Sequence, residues 1–416
     1  MYGTLALSHR ALNDLEDSAG RDALDEIRAL ARPLEGLRVL NLSVTGFGTG
    51  TAELLTSSVP LLNDLGLDAH WQVVRASEDA ASVSRAMYRA LAGAPVEWTQ
   101  EMTDTWLRYA AMNAELMIEP FDVIVVHDLQ PLAIHSYNAT NAGAQWLAHS
   151  HLDLSSAQND VWQLVRQHIE NYDAAIFDAE TFVPRDFPQM PMYVIPPAID
   201  PNSARNMPLP DDLVHSVLTQ YGLDPARPMI LQVSPCDAEC DLVGVYEAWK
   251  VVQRSRPEVQ LLMVLFTEPA DEASQGCYDE LVSRAQSDPD AFIVTPGNEI
   301  GNVELNVFQT AASVVMQKGL RKGYGMWISD ALWKRRSCVV ASEPGLEEQV
   351  IDGHSGSVAT GTPAFAAAIL RLLSDAELAA KYGENGRQHV AERFLITRYL
   401  RDYLKVLAGL QRKGGQ

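Results

Sequence analysis

Short apolar runs alternate with amphipathic stretches along nearly the whole chain. LRVLNLSV (37–44) is rich in branched residues and leads into a glycine-rich turn, TGFGTG (45–50). TAELLTSSVPLLNDLG follows with apolar positions at helical spacing and stops at Gly66. Strand, glycine turn and helix in that order open a parallel α/β domain. DAHWQVVRA (68–76), FDVIVVHD (121–128), QWLAHSHLDL (145–154) and YDAAIFDA (172–179) predict further strands, and YVIPPAID (193–200) closes this half. An earlier helix is predicted over 20–35, ending near Pro33.

A second series begins with the strand PMILQVSP (228–235) and the helix LVGVYEAWKVVQRS (242–255). VQLLMVLF (259–266), AFIVTP (291–296), SVVMQK (313–318) and SCVVAS (337–342) are its other predicted strands, with a helix over 277–287. Residues 375–412 read as amphipathic helix. Two βα series joined by a proline-rich stretch near 196–210 predict two doubly wound α/β domains facing a cleft. The expected division is 1–200, 201–384 and a final segment, 385–416, that crosses back to the first domain. In such sheets ligands bind beyond the carboxyl ends of the strands, so the polar residues just after each strand are the ones to inspect.

Composition narrows the partners. The 416 residues carry a formal net charge of −22, which argues against a nucleic-acid backbone or an anionic membrane as the main partner. A small anionic ligand needs only a local positive pocket. No apolar stretch is long enough to span a bilayer, and the charged N-terminus lacks the pattern of a signal peptide. Four cysteines are too few for a disulfide framework. A cytoplasmic protein is expected.

At the strand ends, Gly48 and Gly50 in TGFGTG serve either chain packing or close approach to a phosphate. His127 and Asp128 end one strand; His149, His151 and Asp153 end another. Each His–Asp neighbourhood is either a satisfied pair or a contact to a polar substrate. His127, His149 and His151 together are one alternative metal set, but their spacing fits no zinc pattern, so no metal is expected. In the second half Lys318, Arg321 and Lys322 crowd the turn Gly323-Tyr324-Gly325 before a helix that carries Asp330. Cations beside a helix start suit a diphosphate, whereas the plainer reading is a solvated basic loop.

TGFGTGTAELL (45–55), VVHDLQP (125–131), HLDLS (151–155), IPPAIDPNS (195–203), LQVSPCDAECD (231–241), NVFQTAASVVMQKGLRKGYGM (306–326) and DALWKRRSCVVAS (330–342) together resemble the retaining GT-B glycosyltransferases, and among them the trehalose synthases. The resemblance runs from residue 38 to the C-terminus. It implies two Rossmann-like domains, a nucleotide-sugar held mainly by the second as co-substrate with no further cofactor, and a small-molecule acceptor on the first. Transfer would proceed with retention and without a metal. Gly48 and Gly50 would border the donor phosphates; His151 and Asp153 would face the sugars as the catalytic pair, near His127, Asp128 and His149. Lys318 and Arg321 would line the nucleotide, next to Lys322, Gly323, Tyr324, Gly325 and Asp330. A homodimer is compatible with the resemblance.

The sequence departs from that pattern where charge matters most. The family's Arg and Lys that hold the departing diphosphate are Pro235 and Cys240 here. Its Glu before the glycine-aromatic-glycine turn is Lys322, its second Glu is Asp330, and the middle glycine of its first loop is Thr49. One lost donor at a leaving group typically costs about 10²–10³ in rate. Three expectations follow: a transferase with a non-standard donor or acceptor, as in natural-product biosynthesis, with Lys322 replacing the lost charge; a non-catalytic sugar- or nucleotide-binding homologue or partner subunit; or a standard trehalose synthase. Cys236 and Cys240 read as small neutral replacements, because neighbouring carboxylates disfavour a thiolate.

Overall fold

The computed structural model describes residues 4–267, 272–295, 297, 300–319 and 323–414. Contacts divide the chain into two compact units, Met1–Ala198 with Ile396–Gln416 and Ile199–Leu395. Each unit is built on a six-stranded, wholly parallel sheet.

In the first unit the strands are β1 (Arg38–Ser43), β2 (Asp68–Val73), β3 (Val123–His127), β4 (Gln145–Ser150), β5 (Ala174–Phe177) and β6 (Met192–Val194), ordered β2-β1-β3-β4-β5-β6. The apolar runs of β3 and β5 are buried throughout because both sheet faces are covered there, as parallel sheets require. The chain leaves β1 toward β2 and returns on the other side at β3. The direction of winding therefore reverses between β1 and β3, where the strand ends open a crevice.

The second unit contains β7 (Met229–Pro235), β8 (Gln260–Phe266), β9 (Ala291–Val294), β10 (Val314–Gln317), β11 (Ser337–Ala341) and β12 (Gly356–Ala359), ordered β12-β11-β10-β7-β8-β9. Its reversal lies between β7 and β10. The strand β12 was not legible in the sequence: GSVA is short and has few apolar residues. Gly356 is needed there, since a Cβ would meet Cys338 O at 2.6 Å.

The expected terminal helix over 375–412 is two helices, Ala376–Arg393 and Ile396–Gly414. Phe394 leaves helical geometry (φ −127°, ψ 13°), and its carbonyl accepts the Ile199 N–H at 2.8 Å. The segment belonging to the first unit thus begins at Ile396 rather than at 385. Its residues Tyr399, Leu400, Tyr403, Leu404 and Leu407 form one buried stripe in the same core as Leu24 and Ile27 of helix Arg21–Ala31 and Leu55 and Val59 of helix Gly50–Asp64. That spacing is the signature of a helix with one apolar face.

Candidate active site

Three strand ends and one strand interior of the first unit bring polar side chains together. His127 closes β3 and lies in register with His149 of β4. Residues two apart on an extended chain share a face, so His151, just past β4, follows His149 on that side. Ser150 is in register with Phe177, which brings Asp178, the residue just past β5, level with His151. Asn41 on β1 is in register with Val125, two residues before His127.

Hydrogen bonds link these groups. His151 Nδ1 lies 3.0 and 3.2 Å from the two Asp178 carboxylate oxygens, and His151 Nε2 lies 3.1 Å from His127 Nδ1. His127 Nε2 is 3.1 Å from Asn41 Oδ1. The Asn41 amide N–H donates to His70 O at 3.3 Å, and Tyr403 Oη donates to Asn41 Oδ1 at 3.4 Å. His149 is fully buried, with Nε2 3.4 Å from Asp178 Oδ1 and its ring stacked on Tyr399. His151 alone of the three opens outward, with 12% of its side chain exposed.

Burial sets the protonation states. It drives His127 well below the usual imidazole range, helped by the neighbouring His149 and His151. It lowers His149 to about 4. Burial would depress His151 too, but the Asp178 carboxylate, by charge and hydrogen bond, and Asp128 raise it above the ordinary value. Asp178 is lowered: burial pushes up, and the charge on His151 with the His149 and His151 contacts outweighs it. Asp128 is raised by burial, against the pull of His151 and a Thr51 hydrogen bond. It occupies the left-handed region (φ 64°), which turns the chain sharply at the end of β3.

Ring nitrogens of His127, His149 and His151 all lie within 4.8 Å of one another, a spacing that could serve a metal ion. These are the three histidines weighed from the sequence as a metal set; their spacing follows no zinc pattern because the sheet gathers them from two strands. Two of the three are already bonded to each other.

The remaining first-unit candidates have local roles. Gly48 (φ 75°) lies in an exposed loop and Gly50 begins the helix after it, and at neither does any atom stand close to where a Cβ would be. Thr49 caps helix Gly50–Asp64 by accepting the Ala52 N–H at 3.2 Å. Asp153 is buried, and its Oδ1 accepts the Ser155 N–H at 2.9 Å, which ties this carboxylate to its own turn.

The second-unit candidates are largely engaged within the fold. Lys318, expected to face a nucleotide, keeps only 6% of its side chain exposed; its ammonium pairs with Asp241 and lies over the Phe365 ring. Tyr324 is buried and donates to Glu348 Oε2 at 2.7 Å. Gly323 and Gly325 belong to a turn packed so closely on Gly345 that a Cβ there would meet Gly323 O at 2.4 Å. Asp330 is 2% exposed, accepts from Asn206 Nδ2 at 2.8 Å and stands 3.8 Å from Arg205 Nη1. Arg321 and Lys322 lie outside the described residues. Pro235 ends β7, Cys240 is buried, and burial beside Cys277 and Asp237 pushes the Cys236 thiol up to about 12, which keeps it protonated.

Asn41, Asp178, Tyr399 and Tyr403 escaped the sequence reading. Asp178 had a signal, an acid directly after an apolar strand. Asn41 sits within a strand, and the two tyrosines reach the site from a helix more than two hundred residues away in sequence.

Residues 41–184 match the family description "Trehalose synthase, N-terminal domain", and residues 219–389 match "Glycosyl transferases group 1". The trehalose synthase of Rubrobacter xylanophilus is 35% identical over 406 residues, covering 97% of each chain. The chain belongs to the trehalose synthase family of glycosyltransferases. Another family member, the trehalose synthase of Thermococcus litoralis, is 31% identical over 96% of this chain and 97% of its own. Among solved structures, a trehalose-6-phosphate synthase superposes with a TM-score of 0.72 at 14% identity, over 89% of this chain and 99% of that one. A sucrose-phosphate synthase from Thermosynechococcus elongatus gives 0.70 at 16%, over 90% and 100%. These likenesses establish the GT-B fold for this trehalose synthase family member. The named relatives lend no support to a natural-product setting.

Proposed function

We propose that the protein transfers a sugar from a nucleotide-sugar to a small sugar acceptor with retention at the anomeric carbon, without a metal. The observation that carries this reading is the His127–His151–Asp178 chain beside Asp128, set at the strand ends of the unit that matches the trehalose synthase N-terminal domain. Such a cluster offers a charged, partly open wall against which sugar hydroxyls can bind. Glucose is the acceptor to try first, because the relatives are trehalose synthases.

The donor side is expected to be unusual. Pro235 and Cys240 bring no positive charge, and Lys318 is neutralised by Asp241. Lys322 then supplies charge to the diphosphate. The test is incubation with UDP-, GDP-, ADP- and dTDP-glucose plus glucose, with the product's anomeric configuration read by NMR. An α,α-linked disaccharide from any donor supports the reading, and loss of diphosphate affinity in Lys322→Glu supports the role of Lys322. The Lys318–Asp241 pair also favours a second reading, a homologue that binds nucleotide-sugar without turning it over; intact donor after prolonged incubation, despite measurable binding, would select it.

A further inference from the structure

The hydrogen-bond chain through His151 fixes a proton count. Asn41 Nδ2 is committed to His70 O, so Asn41 turns its oxygen toward His127. An oxygen there can only accept, so His127 Nε2 carries a proton and donates it. Neutral His127 then has a bare lone pair on Nδ1, facing His151 Nε2 at 3.1 Å. On its other side His151 Nδ1 faces two carboxylate oxygens, which also only accept. Both nitrogens of His151 therefore need a proton.

The extra proton has two other conceivable places. On His127 it would give a fully buried cation with no carboxylate bonded to it, which is costly. On Asp178 it would leave neutral partners, but His149 Nε2 stands 3.4 Å from the same carboxylate and favours the ionised form. Charge and geometry agree on His151.

We propose that Asp178 and His127 are positioning residues that hold His151 as a doubly protonated imidazolium, with one ring N–H given to each. A consequence follows for the transfer reaction proposed above. With both N–H groups used inside the protein, His151 is neither a proton donor nor a base toward substrate. It acts as a fixed positive charge beside Asp128, whose carboxylate it helps to keep ionised.

The groups facing His151 are Asp178, Asp128, His127 and His149, with Tyr399 behind His149, Tyr403 on Asn41, and Arg398 near Tyr399. Among these, the two carboxylates are what favour the charged ring.

The experiment is NMR of the intact protein with ¹⁵N-labelled histidine, following the His151 ring nitrogens with pH and assigning them by Asp178→Asn and His127→Gln. Both nitrogens should remain protonated at neutral pH, with the transition above the ordinary imidazole range in the wild-type protein, and that transition should fall by at least about one pH unit in Asp178→Asn, the shift expected for removal of a neighbouring charge. Asp178→Glu should restore most of it. If the protein is active, the alkaline limb of kcat/KM should move by the same amount, whereas a merely structural role would lower the rate without moving the limb. A singly protonated His151 at neutral pH in the wild-type protein overturns the proposal, and needs no variant to be seen. So does an equimolar bound metal whose chelation changes the His127 and His151 resonances. The NMR result stands whether or not any sugar is transferred, so failure here is distinguishable from failure of the proposed reaction.

Discussion

Lys318, at the carboxyl end of β10, pairs with Asp241, the N-cap of helix Leu242–Ser255, across the point where the second sheet reverses its winding. Under the proposed transfer a diphosphate would be met at that point, and the cation's charge is cancelled by the acid that immediately precedes the helix. Asp241 adopts the left-handed conformation (φ 46°) and accepts the Gly244 N–H at 3.2 Å. Asn tolerates that backbone and can keep the cap. We predict that Asp241→Asn tightens UDP binding about tenfold, or ~1.4 kcal/mol, as measured by titration calorimetry. Unchanged affinity would mean that Lys318 has no part in holding phosphate.

Lys334 provides a stability readout in the second unit. Its ammonium lies between Asn206 Oδ1 (2.7 Å), Gln309 Oε1 (3.0 Å) and the Asp330 carbonyl (3.1 Å). Burial lowers it to about 7, against the pull of Asp330 and with help from Arg205 and Arg336. A base with a depressed folded-state value binds fewer protons folded than unfolded, so stability rises with pH above that value until the unfolded lysine also loses its proton. Between about pH 7 and pH 9 the gain is about 2 kcal/mol. Urea melts should show a rising midpoint in the wild-type protein and a flatter one in Lys334→Met. Parallel profiles would show that Lys334 keeps its charge when folded.

The same physics governs what could be read from the sequence. β7, β8 and helix Leu242–Ser255 announced themselves, because a continuous apolar run between polar residues has few alternatives and a helix with one apolar face has a distinct period. His127 and His151 were visible as polar residues at strand ends. Their linkage was not, because it depends on which strands are neighbours: Asn41, His127 and His151 come from three adjacent strands, and only the order β1-β3-β4 makes one chain of them. Lys318 and Asp330 looked like ligand contacts because charge is readable in sequence, whereas the internal partners that engage them, Asp241, Asn206 and Arg205, are fixed by tertiary packing.

The buried histidines predict an acid limit. His127 and His149 are held neutral by burial, so the unfolded chain takes up protons there that the folded one refuses. Stability contributed by this pair falls as pH drops from about 6.5 toward 4, by ~1.4 kcal/mol per pH unit for each fully titrating histidine. His151 works in the opposite direction: its raised value adds stability that is complete below the unfolded value and is lost as pH rises through the folded one. Replacing His149 by Gln should shallow the acid slope measured by chemical denaturation. An identical slope would show that His149 is not buried neutral.

Helix Ile396–Gly414 is predicted to stabilise the first unit and to hold its site through different side chains. Leu404 is fully buried in the shared core, and shortening such a side chain removes both its transfer energy and the contacts around the hole. Leu404→Ala should cost about 2–4 kcal/mol in urea denaturation. Tyr403→Phe keeps the ring packed against Tyr399 and removes only the hydroxyl that donates to Asn41. Its cost should be about 1 kcal/mol, the net value of one hydrogen bond. The ring-nitrogen spectrum should separate the two: Tyr403→Phe should shift the His127 signal, because Asn41 Oδ1 then accepts from His127 alone, while Leu404→Ala should leave it in place. Equal shifts in both variants would show that the helix acts on the site through packing and not through the tyrosine hydroxyl.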